Sequence, residues 1–143
     1  MKPTIAEAQS PASILRCYPV VSQLRPYLQE GDFVERVSRQ QLQGYRLAYL
    51  EAHERVRAVA GFRFFECLAW GRICYVDDLV TDAGVRSQGY GRTLFDWLVS
   101  RAREAGCDQF HLDSGVQRFD AHRFYFTRRL AISAYHFSMS LPK

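Results

Sequence analysis

A chain of 143 residues, 48% hydrophobic and 14% aromatic, is long and apolar enough for a packed core, which excludes a disordered chain and points to one domain over residues 1–143. The formal net charge of +4 comes without a Lys/Arg run, so no nucleic-acid partner is expected, and a phosphorylated cofactor would satisfy the surplus equally well. Cys17, Cys67, Cys74 and Cys107 form no Cys-x-x-Cys pair, the four histidines show no ligand spacing, and no apolar run follows Met1 or could span a bilayer; reduced thiols, no metal, no membrane and a cytoplasmic location are expected.

Residues 4–8 alternate as a first strand. Ser10-Pro11 reads as N-cap and first residue of a helix whose apolar stripe runs to about Leu28, with Pro19 expected to kink or split it. Gly31-Asp32 opens a second helix, with Phe33, Val34, Val37 and Leu42 inward and Gly44 as its stop. Strands follow at residues 45–50, 56–66 and 71–81, and their short polar connections suggest antiparallel hairpins. A helix from Arg92 carries Leu94, Phe95, Leu98, Val99, Ala102 and Ala105 on one face and ends at Gly106. Residues 109–114 alternate as a strand that, after a crossover helix, should run parallel to the strand before it. Asp120 can cap a helix from Ala121 to about Arg129, and residues 131–141, rich in Ile, Tyr and Phe, should close the chain as one or two strands. The order is that of a mixed sheet covered by helices.

The densest signal is the strand–loop–helix stretch of residues 75–100. Asp77-Asp78-Leu79-Val80-Thr81 ends a strand, Asp82, Ala83 and Gly84 form a loop, and Arg86-Ser87-Gln88-Gly89-Tyr90-Gly91 leads into Arg92, Thr93 and the helix. The first turn of a helix has N–H groups without internal acceptors, and glycines remove the Cβ atoms that would hold a phosphate away. The stretch therefore reads as a phosphate or pyrophosphate cradle. It is not a Walker loop, because Gly91-Arg92-Thr93 lacks the lysine and the upstream glycine, and it is not a Rossmann fingerprint, whose third glycine would fall at Leu94.

The Arg-x-x-Gly-x-Gly loop after the Asp77-Asp78-Leu79-Val80-Thr81 strand resembles that of the GNAT-type N-acetyltransferases. A second block in register, Ala121-His122-Arg123-Phe124-Tyr125, is similar to that family's Ala-x-x-Phe-Tyr helix. The resemblance covers residues 75–130 well and the N-terminal half by element order. It implies an α/β (α+β) GNAT-like fold, a mixed central sheet of about six or seven strands flanked by about four helices. It also implies acetyl transfer from acetyl-CoA to an amine.

By that resemblance, Leu79, Val80 and Thr81 would pair with the pantetheine arm. The N–H groups of Arg86, Ser87, Gln88, Gly89, Tyr90, Gly91 and Arg92 would hold the pyrophosphate, with Arg86 or Arg92 adding a side-chain contact and Thr93 a first-turn one. Tyr125 would be the acid near the thioester sulfur. Asp77, where the family often has Glu, would take the substrate proton; being shorter by a methylene, it favours a water relay. Adjacent strand residues point to opposite faces, so only one of Asp77 and Asp78 is expected to face a given cleft, as base or as anchor for a cationic amine. Tyr27, Asp32 and Phe33 are weaker candidates for acceptor contacts. The pattern departs from the family at Arg118, where an Asn commonly stands and which would contact cofactor phosphates instead, and at Arg129-Leu130 in place of Gly-Phe. The expected partners are an amine acceptor, small molecule or protein, and a second copy in a homodimer through edge strands near the C-terminus. The rival reading is an acyl-CoA-binding sensor or interaction module with the same fold and no turnover.

Overall fold

The computed structural model describes residues 2–143, which divide into two compact units, one reaching His111 and one from Leu112 onward. The first unit carries β1 (Thr4–Glu7), α1 (Pro11–Leu24), α2 (Glu30–Gln41), β2 (Arg46–Ala52), β3 (Arg55–Cys67), β4 (Gly71–Thr81), α3 (Tyr90–Glu104) and most of β5 (Gln109–Leu112). The second carries α4 (Phe119–Thr127) and the C-terminal segment.

The sheet has five strands in the order β1-β2-β3-β4-β5. The first four pair antiparallel in succession, β2–β3 and β3–β4 through short polar connections and β1–β2 across the two intervening helices. The β2–β3 turn holds both His53 and Glu54 at positive φ, 54° and 63°, the twist a two-residue hairpin needs. Five strands replace the six or seven expected, because residues 131–141 form no strand. Their apolar alternation suits a strand, but a strand is completed only by backbone partners, and no described backbone pairs with this segment.

One sheet face buries Leu47 and Val59 against Ile14, Cys17 and Val20 of α1 and Phe33 and Val37 of α2. Phe62 points to the other face, where its ring meets Trp97 of α3 edge-on at 6.0 Å, beside buried Leu94 and Leu98. α1 opens on a capping box: Ser10 Oγ accepts from the Ser13 N–H and Ser13 Oγ from the Ser10 N–H, both at 3.1 Å. Pro19 does not split α1, which runs unbroken to Leu24; the ring is exposed, as is Leu15, whose carbonyl loses its helical donor. Leu42 is not inward. It lies past the last helical residue of α2, as the C-cap, and is 90% exposed. α4 begins two residues earlier than expected, with Arg118 as N-cap, so Asp120 sits inside the first turn and accepts from Arg123 at 3.2 Å.

Candidate functional site

The site in the first unit begins with a slip in the β3–β4 ladder. Gly61 stands opposite Asp78, and the next residue, Phe62, stands opposite Val76. Asp77 is the extra residue of a β-bulge, and a bulge breaks the strict alternation of side chains. Asp77 and Asp78 therefore do not point to opposite faces as adjacent strand residues should; both join one polar cluster. Arg63 donates to Asp77 from Nε (3.1 and 3.0 Å to the two oxygens) and lies 3.0 Å from Oδ2 through Nη2. Asp78 accepts from Arg25 Nε at 3.0 Å and from the Tyr45 hydroxyl at 2.8 Å. Arg25, the residue capping the C-terminal end of α1, also donates to the Asp77 carbonyl at 3.0 Å. The Arg63 guanidinium lies over the Tyr45 ring, 5.3 Å from its centroid.

Gly61 makes this cluster fit. A Cβ there would overlap the Tyr45 hydroxyl and ring, so only glycine lets Tyr45 cross the strand. Tyr45 is buried, and burial, followed by the charge of Asp78, raises its pKa well above the ordinary phenol range. It stays protonated and donates. Burial also raises the Asp77 pKa, against the opposing Arg63 bond and charge. Sequence reasoning placed the stretch from Arg25 to Phe33 along the acceptor cleft but did not assign Tyr45 or Arg63 to the site; the readable hint was Gly61, a lone glycine inside an apolar strand.

Beyond the bulge, Leu79, Val80 and Thr81 finish β4. On one side Leu79 and Thr81 stand opposite Ala60 and Ala58. On the other, β5 starts beside Arg72, whose carbonyl accepts from the Asp108 N–H at 2.7 Å, and spans only Gln109–Leu112. A four-residue strand covers about 13 Å, too little to reach the Leu79–Thr81 end of the eleven-residue β4.

The loop that follows is tied to α1. Gln23 donates to Asp82 Oδ1 at 3.0 Å and accepts from the Ala83 N–H at 2.8 Å. The Gln23 bond holds the Asp82 carboxyl below its usual range, assisted by the Gly84 N–H. A short 3-10 turn (Ala83–Val85) leads to Arg86, and then Ser87 and Gly89 take the left-handed conformation, φ 74° and 80°. Such a φ is ordinary for glycine and costs a serine on the order of 1 kcal/mol. Gly89 is the N-cap of α3 and offers no side-chain cap. Among the described residues, no backbone N–H of residues 86–92 has an acceptor. A Cβ on Gly91 would stand 2.7 Å from Thr81 Oγ1, so a glycine is needed for the helix to start this close to the strand end. The Thr93 hydroxyl donates to the Gly89 carbonyl at 3.0 Å, which commits its proton to the helix start. The side chains of Arg86, Gln88 and Arg92 are exposed, and Tyr90 is half-buried.

Of the weaker candidates, Tyr27 and Asp32 are exposed, whereas Phe33 is 3% exposed and packs edge-on against Tyr18 in the core.

Arg118 and Tyr125 belong to the second unit. Tyr125 is half-buried on α4, its ring 5.7 Å from that of Phe124. Burial raises its pKa, and the neighbouring Arg118 guanidinium, by charge and by its hydrogen bond, partly offsets that. His122 Nε2 and the Gly115 carbonyl, 2.8 Å apart, tie α4 to the loop before it. Among the described residues no cluster of three or more His, Cys, Asp or Glu could hold a metal ion, and no helix is long and apolar enough to cross a membrane.

The family model described as acetyltransferase (GNAT) family matches residues 12–130. The uncharacterized N-acetyltransferase YhdJ of Bacillus subtilis (strain 168) is 38% identical over 109 residues, 76% of this chain and 77% of that protein. A transcriptional regulator from Bacillus halodurans C-125 has a similar structure, with a TM-score of 0.85 at 22% identity, covering 98% of this chain and 100% of that one. A GNAT family acetyltransferase of Staphylococcus aureus subsp. aureus USA300_TCH1516 has a TM-score of 0.83 at 14% identity, covering 99% and 100%. At such identities the structural likeness shows a shared fold.

Proposed function

This chain belongs to the acetyltransferase (GNAT) family, and on that premise we propose that it transfers the acetyl group of acetyl-CoA to a primary amine by direct attack in a ternary complex. The observation that carries this reading is the run of backbone N–H groups in residues 86–92, without protein acceptors, at an uncapped helix start. Several N–H groups and the positive end of a helix dipole converging there suit a pyrophosphate. Charge-assisted bonds contribute about 1.5–3 kcal/mol each, so a few of them give micromolar affinity, about 8 kcal/mol.

In this proposal residues 86–92 hold the pyrophosphate and the open backbone of Leu79 and Thr81 pairs with the pantetheine arm. Val80 is buried and anchors that strand end. Arg118 adds a charged contact to the cofactor. Acetyl-CoA supplies the thioester carbonyl. An alkyl amine is mostly protonated at neutral pH and must lose a proton to attack. Asp77 takes that proton through a water; its buried setting raises its proton affinity, the direction a base requires. Arg63 uses only part of the lone-pair capacity of the carboxylate, which leaves an acceptor for the relay. The neutral amine attacks the thioester carbonyl carbon, the N–C bond forms and the C–S bond breaks, and the second nitrogen proton leaves through solvent to restore the Tyr125 hydroxyl. Tyr125, kept protonated by its raised pKa, gives its proton to the departing sulfur. We place the reaction in the cytoplasm, consistent with four free cysteines, and in a homodimer.

Steady-state thiol release from acetyl-CoA over a panel of amines tests this. Release with one amine class, reduced at least ~10-fold by Asp77→Asn and by Tyr125→Phe, is expected for general acid–base groups. The rival is a sensor with the same fold and no turnover. Cofactor binding with no release on any amine would favour it.

A further inference from the structure

Gln23, in the last turn of α1, reaches the root of the loop that carries residues 86–92, although 59 positions separate it from Asp82. Its Nε2 donates to Asp82 Oδ1 at 3.0 Å, and its Oε1 accepts from the Ala83 N–H at 2.8 Å. One planar amide thus answers a carboxylate and an N–H of consecutive residues. Asp82 in turn organises the turn that follows. Its Oδ1 accepts from the Gly84 N–H at 3.3 Å and its carbonyl from the Val85 N–H at 3.0 Å. The Asp82 N–H donates to the Arg57 carbonyl at 2.8 Å. Gln23 and Ala83 are both exposed, so core packing does not fix their places.

We propose that Gln23 is a positioning residue for the cofactor: it holds the turn at residues 82–85 in the conformation that presents the N–H groups of residues 86–92 to the CoA pyrophosphate. This rests on the reading of those residues as the cradle. N–H donors act together on one anion only when their directions are fixed beforehand. The N–H groups of residues 86–92 have no protein acceptors among the described residues, so they do not fix one another. Their direction is set at the root, where Gln23 acts, and at the helix start. Without Gln23 the turn samples other conformations, and a ligand that needs the held one binds with an apparent Kd raised by the inverse of the held fraction. Two water-exposed hydrogen bonds change that fraction roughly 3- to 10-fold.

The test is isothermal titration with CoA, together with hydrogen exchange, on the wild type, Gln23→Leu, Gln23→Glu and the control Glu7→Gln. Gln23→Leu is expected to bind CoA about 3- to 10-fold more weakly, with the Ala83 amide exchanging faster. Gln23→Glu keeps the acceptor for Ala83 but sets a second carboxylate against Asp82. Arg57 Nη1, 3.9 Å from Asp82 Oδ2, and Arg55 nearby keep their charge throughout the range. The deficit of Gln23→Glu relative to wild type should therefore be present at about pH 8 and close toward about pH 5, where the two carboxylates share a proton; that of Gln23→Leu should persist at both. A purely structural role would not give this difference. Glu7→Gln weakens the bonds from Arg46 at 2.9 and 2.7 Å and the contact to Arg101. Arg101 lies about 16 Å along α3 from Tyr90, so this variant should lose stability and keep its CoA affinity. Equal affinity of Gln23→Leu and wild type, a Gln23→Glu deficit that stays open in acid, or an equal loss in Glu7→Gln would overturn the proposal and leave the cradle standing. A wild type that binds no CoA would overturn both.

Discussion

Replacing Tyr45 by phenylalanine removes one hydroxyl from the cluster that holds the β4 bulge and leaves the ring in place, so no cavity forms. The hydroxyl donates at 2.8 Å to Asp78 Oδ2, and Tyr45 is 6% exposed. A hydrogen bond to a charged acceptor contributes about 1.5–3 kcal/mol. The Asp78 side chain is 17% exposed and keeps its bond from Arg25 at 3.0 Å, so water can reach the oxygen left behind and the lower end applies. The expected destabilisation is about 1.5 kcal/mol, read as a fall in Tm of roughly 4–5 °C for a chain of this length. Urea unfolding should show the same loss at unchanged m-value. A double-mutant cycle with Asp78→Asn assigns the loss to this pair, and a coupling of about 1 kcal/mol is expected. A Tyr45→Phe protein as stable as the wild type, or a coupling near zero, would refute the claim that Tyr45 braces the bulge.

Gly61→Ala attacks the same brace from the opposite strand. Its Cβ overlaps Tyr45, which is walled in by the core, so it should cost more than Tyr45→Phe, roughly 3 kcal/mol by urea unfolding. Arg63→Met removes the cation that opposes the raised pKa of Asp77. The acidic limb of the kcat/KM profile should then move to higher pH, with activity recovering at alkaline pH; an unmoved limb would separate Arg63 from the base. Gly91→Ala drives a methyl against Thr81 Oγ1 and should weaken acetyl-CoA at least ~10-fold, a shift of about 1.4 kcal/mol, with Thr81→Ala restoring part of it in the double variant. Asp82 has a lowered folded pKa, so its contribution is present above the ordinary aspartate pKa and lost as pH falls through the folded value. Gln23→Leu should therefore lower stability by about 0.5–1 kcal/mol at neutral pH, a difference that closes as thermal melts are taken into acid.

The strand–loop–helix from Asp77 to Thr93 was legible in the sequence because its signals are local. Glycines at the turn, a break in period and an apolar helical stripe all fall within a few residues of one another. The N-cap of α1 at Ser10, followed by Pro11, was legible for the same reason. The bulge at Asp77 was not, because it depends on the register of β4 against Gly61, sixteen positions earlier in the chain. Without the bulge, the rule of alternation put Asp77 and Asp78 on opposite faces and hid Tyr45 and Arg63, which only the folded sheet gathers around them. Pro19 read as a break because sequence shows the missing N–H and not that the stranded carbonyl is on the wet side of α1. Residues 131–141 read as strand from their alternation, a property of the segment, whereas a strand is a property of a pair.

Isothermal titration of the wild-type protein with acetyl-CoA tests the central claim most directly, since every later step requires the cradle of residues 86–92. The expected result is saturable binding in the micromolar range, with CoA itself also binding through the shared pyrophosphate. Absence of heat and of competition at millimolar acetyl-CoA would contradict the cradle, and acetyl transfer by this chain with it.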